Sequence, residues 1–461
     1  MTAVADRIRA LPERYGRRTL VLLGLIAVLG LGLRAYAVVH PVANPADDSH
    51  AYYGLAKALY EEGSFGGPEF KDSSDWSPGA PLLYAASFYA TGGAREGTAR
   101  IVEALLGVAA ILVVFALGDR LGGAFGGGRG RRRAVGLIAA FGVAAYPPFI
   151  HSTGELMSEP PAILTLPAAV LAFFWAANIG DAEPDGASPR SPWAWIAPGL
   201  LFGLTAMFRP EYLLVAGAFV VLAAIRLWPG RGWRPALAGA GVLVLAIAVT
   251  IVPWTIRNVV VLHRVVPIST GSGKALYVGT FLPADGEYQR VKALLYKRYE
   301  HRTLAPDSEA LNEVDPTPLF NRVAARYPDL PRDSALGKIG KQNFSRFFGE
   351  DPLGYLAMTA RKVGRMWSSG VGEAMSSGLG RAVQILLVAL GLAGFALLGT
   401  RRRWWELVAL ATPIVLVTVV GAISLAAPRR NEVLMTLVFP LAALTLTWAA
   451  APASIRKPAS G

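Results

Sequence analysis

The sequence predicts an all-α polytopic membrane protein with about ten transmembrane helices. Three observations carry this expectation: long apolar runs, a low content of charge, and arginine clusters that recur between the runs. The 461 residues are 53% hydrophobic and only 17% charged, whereas soluble domains average about 25% charged. A helix that crosses a bilayer needs about 20 mostly apolar residues. Runs of that kind lie at about 19–39, 97–118, 134–150, 157–178, 194–209, 211–228, 236–256, 379–400, 406–427 and 432–451. Together these features exclude a soluble globular enzyme and a disordered chain. The stretch 79–91 is too short to span and is expected to lie at the interface or lead into the second run.

Orientation follows from the lysines and arginines of short loops. Clusters occur at Arg7–Arg18, Arg120–Arg133, Arg226–Arg234, Arg401–Arg403 and Arg456–Lys457. With ten spans, all five fall on one side, read as the cytoplasm, with both termini there. The net charge of +13 is thereby largely a matter of topology, and no nucleic-acid partner is expected. The first run lacks a small-residue cleavage site and reads as a retained signal anchor. There is no cysteine, which excludes disulfides, thiolate metal sites and a cysteine nucleophile.

Three units are expected: a transmembrane module over 1–256 that includes an outer loop at 40–78, an extracytoplasmic segment at 257–375, and C-terminal transmembrane helices over 376–461. The outer loop begins with a helix from Asp47 or Asp48 to Gly63. In the later segment, 286–302, 335–348 and 352–367 read as amphipathic helices. The last suits a membrane surface, with Leu353, Leu356 and Met366 beside Arg361, Lys362 and Arg365.

Candidate chemistry concentrates at the outer ends of the spans. The Asp47-Asp48 pair suits a general base or a divalent cation, and an N-cap equally well. On a helix, Asp48 and Tyr52 share a face and can point at one cleft. Glu159, ahead of Pro160-Pro161, is either a site acid or a first-turn complement to the helix dipole. Arg209, Arg257, Arg429 and Arg430 lie on the side opposite the basic loops. A guanidinium suits phosphate, although a single arginine there could equally snorkel to headgroups. Within the spans ionisable groups are scarce, which argues against an ion-coupled transporter. The dispersed histidines and the missing G-x-S-x-G argue against a zinc or serine hydrolase.

Several segments together resemble the GT-C class of bacterial membrane glycosyltransferases, in its protein-mannosyltransferase and aminoarabinose-transferase-like branch. They are NPADDSHAYYGLAKALYEEGSF at 44–65, SPGAPLLYA at 77–85, GELMSEPP at 154–161, RPEY at 209–212, PWTIRNVVVLHRVVPISTGSGKALYVGT at 253–280 and APRRNEVLMTLVFP at 428–440. The resemblance implies a GT-C-like fold, a polyprenyl-phosphate-sugar donor, and a glycan, lipid or protein acceptor hydroxyl. It also implies inversion at the anomeric carbon and an outer-face site in the inner or plasma membrane. Asp48, Tyr52 and Ala56 match the family's Asp-x-x-x-Tyr-x-x-x-Ala spacing, which makes Asp48 the catalytic base. Glu159 matches the acid of its Ser-Glu motif, taken as catalytic, orienting sugar, acceptor or a metal. Arg257 with Asn258 matches its Trp-Thr-Ile-Arg-Asn segment, and Arg429 and Arg430 stand where it has Arg-Tyr-Arg. Arg257 and one of Arg429 or Arg430 would stabilise the leaving phosphate. Asp47, Tyr52, Arg209 and Lys274 complete the substrate contacts, with Trp76 and Tyr277 as sugar platforms. No cofactor is implied, and a divalent cation stays open. The competing readings are a transporter or flippase of lipid-linked or small solutes, and a non-catalytic envelope subunit.

Overall fold

The computed structural model describes residues 13, 15–42, 47–66, 74–123, 128–180 and 190–451. Each of the ten apolar runs is helical. Seven of the helices are long and apolar enough to cross a membrane, or eight if one bent pair counts as a single span. The remaining two runs form the shorter apolar helices at Pro192–Phe208 and Tyr212–Trp228. No strand occurs among the described residues.

In chain order, α1 (Arg17–Val39) is followed by α2 (Asp47–Glu62) and α3 (Gly79–Thr91), both at the end of the bundle that carries the site. Next come α4 (Glu96–Gly123), α5 (Gly128–Ala145), α6 (Pro147–Glu155) and α7 (Glu159–Ala177). The bundle continues with α8 (Ile196–Phe208), α9 (Tyr212–Arg231) and α10 (Trp233–Leu262). A layer of shorter helices then covers the site: α11 (Ser272–Gly279), α12 (Tyr288–Glu300), α13 (Glu309–Asn312), α14 (Thr317–Ala324), α15 (Arg332–Glu350), α16 (Pro352–Ser368) and α17 (Glu373–Ser376). The chain returns through α18 (Gly378–Thr400), α19 (Trp404–Ile423) and α20 (Arg429–Ala449). Helices before and after the covering layer share one apolar core, which runs from Leu55 to Leu444. The covering layer has a smaller core of its own, built on Tyr277, Val291, Phe320 and Leu336.

The bend between α5 and α6 has an identifiable cause. The two helices meet at 45°, where Pro147 and Pro148 follow Tyr146. A proline has no N–H for the carbonyl four residues back, so Val143 and Ala144 lose their helical donors. Arg34 of α1, 1% exposed, supplies the replacements. Its Nη2 donates to the Val143 carbonyl at 3.1 Å and its Nη1 to that of Ala144 at 3.3 Å. This buried arginine, with Glu103 and Glu432 (0% and 1% exposed), corrects the expectation that the spans are nearly free of ionisable groups. All three face the protein interior, which is where charged side chains in spans are tolerated.

Charge also sorts along the bundle. At one end Arg132 pairs with Asp119 at 2.9 Å, Arg120 bonds the Ile179 carbonyl, Arg403 pairs with Glu406, and Arg226 lies over Trp405. The basic loops therefore meet one another at the end opposite the acidic helix α2. Helix α16 departs from a simple surface helix. Leu353 and Leu356 are exposed, but Met366 and Lys362 are buried. Lys362 Nζ donates to the carbonyls of Gly279 and Ala422 at 2.7 and 3.0 Å, and Arg361 and Arg365 hold Asp285. The helix thus fastens the covering layer to α19.

Helices α4 and α5 approach closely because both present glycine. A Cβ on Gly118 would lie 3.0 Å from the Gly136 Cα, and one on Gly136 would lie 2.7 Å from the Phe115 carbonyl oxygen. Small residues at such crossings let spans pack backbone to backbone. Gly136→Ala should therefore force the pair apart and cost about 1–3 kcal/mol. The check is a lowered thermal unfolding midpoint in detergent micelles, against an unchanged midpoint for Gly217→Ala, whose added Cβ meets nothing within 4 Å.

Candidate active site

Four helix starts and one proline-ended helix bring the polar groups together. Pro210 disfavours the α conformation at the residue before it, and Arg209 is accordingly extended (φ −141°, ψ 103°), ending α8. Glu211 sits at the start of α9. Glu159 opens α7 with Pro160 and Pro161 behind it, where the missing N–H groups are unneeded. Pro428 is the N-cap of α20, so Arg429 and Arg430 occupy its first turn. Cations at a helix N-terminus oppose the helix dipole. Their placement therefore depends on acids from other elements.

Those acids form an alternating chain of charges. Arg429 donates from Nη1 to Asp48 Oδ2 and from Nε to Glu159 Oε1, both at 2.9 Å. Arg209 Nη1 reaches the same Glu159 oxygen at 2.5 Å. Arg209 also donates from Nε and Nη2 to Glu211 Oε1, each at 3.1 Å, and Arg430 Nη1 stands 3.6 Å from that oxygen. Four helices are thereby tied: α2, α7, α9 and α20. Asp48 also accepts from Trp76 Nε1 at 3.3 Å. Beside it, Ser77 gives its hydroxyl proton to the Phe208 carbonyl at 2.6 Å, so Tyr52 donates to Ser77 across 3.3 Å.

The network lines a cavity of about 1800 Å³ between the bundle and the covering layer. Its wall includes Asp48, Tyr52, Arg209, Lys274, Arg429 and Arg430. One flank is apolar, formed by Phe208, Leu213, Leu214, Val420 and Ile423, and Leu214 and Ile423 continue onto the outer face of the bundle at 58% and 59% exposure. Lys274 is placed by its own backbone, whose N–H donates to Asp333 at 3.0 Å. A Cβ on the preceding Gly273 would fall 1.9 Å from the Asp333 carbonyl oxygen, so only glycine admits this contact.

Burial alone would raise the Asp48 carboxyl. The charges of Arg429 and Lys274, and the hydrogen bonds from Arg429 and Trp76, hold it below its ordinary value of 3.8. It is 37% exposed at the side chain and open to the cavity as a carboxylate. Glu211 is lowered as well. Burial is again outweighed, by Arg209 and then Arg430, and its carboxyl falls to about 2.

The structure gathers some of the expected residues and separates others. Glu159, expected to act on substrate, is 1% exposed and stands behind the cavity wall between two arginines. Arg257 and Asn258 are outside the cavity lining. Arg257 Nη2 donates to the Phe65 carbonyl at 2.6 Å. Its guanidinium lies against the Phe65 and Trp254 rings. Asn258, fully buried, holds the carbonyls of Val266 and Ile268. The pair thus fixes the turn after α10. Tyr277 belongs to the small core of the covering layer rather than to the cavity. Asp47 begins α2, but its side chain lies outside the described residues. Among the described residues no three His, Cys, Asp or Glu side chains gather to hold a metal ion. Glu211 was missed by the sequence reading, although it lies within the RPEY motif. An acid placed one residue after a proline that ends a helix was the available signal.

These features define a polytopic helical membrane protein with a charged cavity at one end of its bundle, in a GT-C-like fold. No protein-family model and no curated protein matches the sequence. Among solved structures, the archaeal oligosaccharyltransferase AglB from Archaeoglobus fulgidus, in complex with an inhibitory peptide and a dolichol-phosphate, aligns with 93% of this chain at a TM-score of 0.52 and 16% identity. That alignment covers 50% of the archaeal protein, so the chain spans about half its length, and what the two share is the fold. ArnT from Cupriavidus metallidurans bound to undecaprenyl phosphate aligns with 92% of this chain and 78% of its own, at a TM-score of 0.40 and 14% identity. The S. cerevisiae protein O-mannosyltransferase complex bound to the sugar donor aligns with 56% of this chain and 35% of its own, also at 0.40 and 14%.

Glu211→Gln tests the charge chain. The Glu211 carboxyl is lowered on folding, so its stabilisation is complete above its ordinary value of 4.5 and is lost as pH falls towards about 2. The substitution should cost on the order of 3 kcal/mol at neutral pH. It should also shrink the further loss of thermal stability on acidification through that window, which an unfolding series in detergent would read.

Proposed function

We propose that this chain is a membrane glycosyltransferase that moves a sugar from a polyprenyl-phosphate donor to an acceptor hydroxyl. The observation that carries the reading is the cavity itself. One wall presents a carboxylate beside arginines, and the adjoining flank is apolar and continues onto the bundle's outer face. An amphiphile with a long apolar tail and an anionic head fits that combination. The likeness in fold to an oligosaccharyltransferase solved with a dolichol-phosphate supports it. The gathering of the basic loops at the opposite end supports an extracytoplasmic site, with both termini cytoplasmic and the chain in the inner or plasma membrane. A glycan, lipid or protein hydroxyl would enter from the side of the covering layer.

In the reaction the acceptor oxygen attacks the anomeric carbon, and the bond from that carbon to the phosphate oxygen breaks. Asp48 takes the hydroxyl proton, and the phosphate departs with its electron pair, inverting the centre. Asp48 suits the base role because it is ionised, reaches the cavity, and has carboxylate lone pairs beyond those used by Trp76 and Arg429. The two late arginines divide the remaining work. The Nε and Nη1 groups of Arg429 are engaged by Glu159 and Asp48, so this residue orients the base. Among the described residues Arg430 has only a long ion pair, to an oxygen already shared with Arg209, and its buried Nη1 makes no hydrogen bond. Arg430, with Lys274, is the donor set available for the leaving phosphate. Glu159 acts through the arginines it separates, without touching substrate.

Purified protein in lipid, given a panel of polyprenyl-phosphate sugars, provides the test. Asp48→Asn should reduce transfer by about 100-fold or more while donor binding persists; full transfer by this variant would remove Asp48 as the base. The late arginines and Lys274 should separate in two readouts. Arg430→Gln should weaken inhibition by free polyprenyl phosphate about tenfold and leave the acid limb of the rate profile in place. Lys274→Met should move that limb to higher pH, because its charge helps hold Asp48 below 3.8.

A further inference from the structure

The turn that delivers Glu159 is fixed by polar groups from three other helices. Between α6 and α7 the chain passes through Leu156 in a left-handed conformation (φ 56°, ψ 66°), a region that β-carbons disfavour. Such a residue persists only where its surroundings over-determine it, and here they do. Arg100 Nε of α4 donates to the Gly154 carbonyl at 3.2 Å. The Ser49 hydroxyl of α2 donates to the Glu155 carbonyl. Met157 is held on both sides of its backbone. Its N–H donates to Glu103 Oε1 at 3.1 Å, and its carbonyl oxygen lies 2.9 Å from the Tyr84 hydroxyl of α3. That hydroxyl also bonds Glu103. Glu103 and Tyr84 are each 0% exposed, and neither lines the cavity.

From this geometry we infer that Glu103 and Tyr84 are positioning residues of the active site, clamping the 154–158 turn so that Glu159 meets Arg209 and Arg429. The inference rests on the transferase reading for its catalytic consequence. An acid and a phenol buried together inside a membrane bundle are costly unless satisfied; here Glu103 Oε1 and the Tyr84 hydroxyl are satisfied by one another and by backbone, while Glu103 Oε2 has no partner among the described residues. The backbone they satisfy lies two residues ahead of the carboxylate that orients both arginines. A shift of the turn moves Glu159, then Arg429, then Asp48. Ser49 adds a direct link, because it adjoins Asp48 on α2 and bonds the same turn.

The test uses the full chain in nanodiscs, with Tyr84→Phe and Glu103→Gln as nearly isosteric variants. One readout is hydrogen exchange of the peptide that contains Leu156–Glu159; the other is steady-state transfer. The expected result is at least tenfold faster exchange in that peptide with the other spans still protected. Alongside it, kcat should fall towards a hundredfold with KM for the donor little changed. Unchanged exchange in both variants would overturn the clamp, and faster exchange with full kcat would overturn its role in positioning. If the wild type transfers no sugar from any donor, the transferase reading fails, and the exchange arm still decides whether these residues hold the turn.

Discussion

Arg429 is the interaction on which the site depends. Its guanidinium bridges Asp48 at the start of α2 and Glu159 at the head of a span, and its own backbone begins the last span. Charges so placed would be unfavourable singly: the acid behind Arg429 is buried, and the arginine sits at the positive end of a helix. Together they make an arrangement in which removing any member leaves a partner uncompensated. The same bond therefore closes the fold at this end and holds the only half-exposed carboxylate of the charge chain towards the cavity.

Proline is the second device that shapes this region, used in three ways. Pro210 stops a helix and leaves Arg209 extended; Pro428 starts one and aims two arginines inward; Pro147 and Pro148 bend a span beneath the site. In each case the backbone groups that proline frees or lacks are found at a helix end, where orphan donors and acceptors exist in any event. Rigid direction is obtained at positions where it disrupts least.

Much of this was legible in the sequence. Long apolar runs read as spans, and all ten proved helical, with seven, or eight counting a bent pair, long and apolar enough to cross. Arginines on the side opposite the basic loops, and the spacing of Asp48 and Tyr52, pointed to one cleft, and both residues line it. What was not legible was which charges would share a proton acceptor or a carboxylate. Arg257 and Arg209 look alike as isolated arginines at span ends, yet one braces a turn against Phe65 and the other enters the charge chain. That difference depends on contacts between separate segments, 192 residues apart for Arg257 with Phe65 and 50 for Arg209 with Glu159. Glu103 stood in plain view inside an apolar run, but its meaning depended on a backbone N–H of Met157, and backbone partners leave no mark in composition.

Arg34 gives the assembly of the protein a sequence in time. It lies in the first helix, whereas the two carbonyls it satisfies belong to residues 143 and 144. Roughly a hundred residues are synthesised in between, a matter of several seconds or more at ribosomal speed. For that interval the first helix carries a charge towards one of its ends whose available partner is the Gly30 carbonyl of the same helix, and a long arginine there reaches for the headgroups. The step that seats α1 is therefore tied to the step that kinks α5 and α6, and a substitution that straightened the kink would surface first as a helix that never settles.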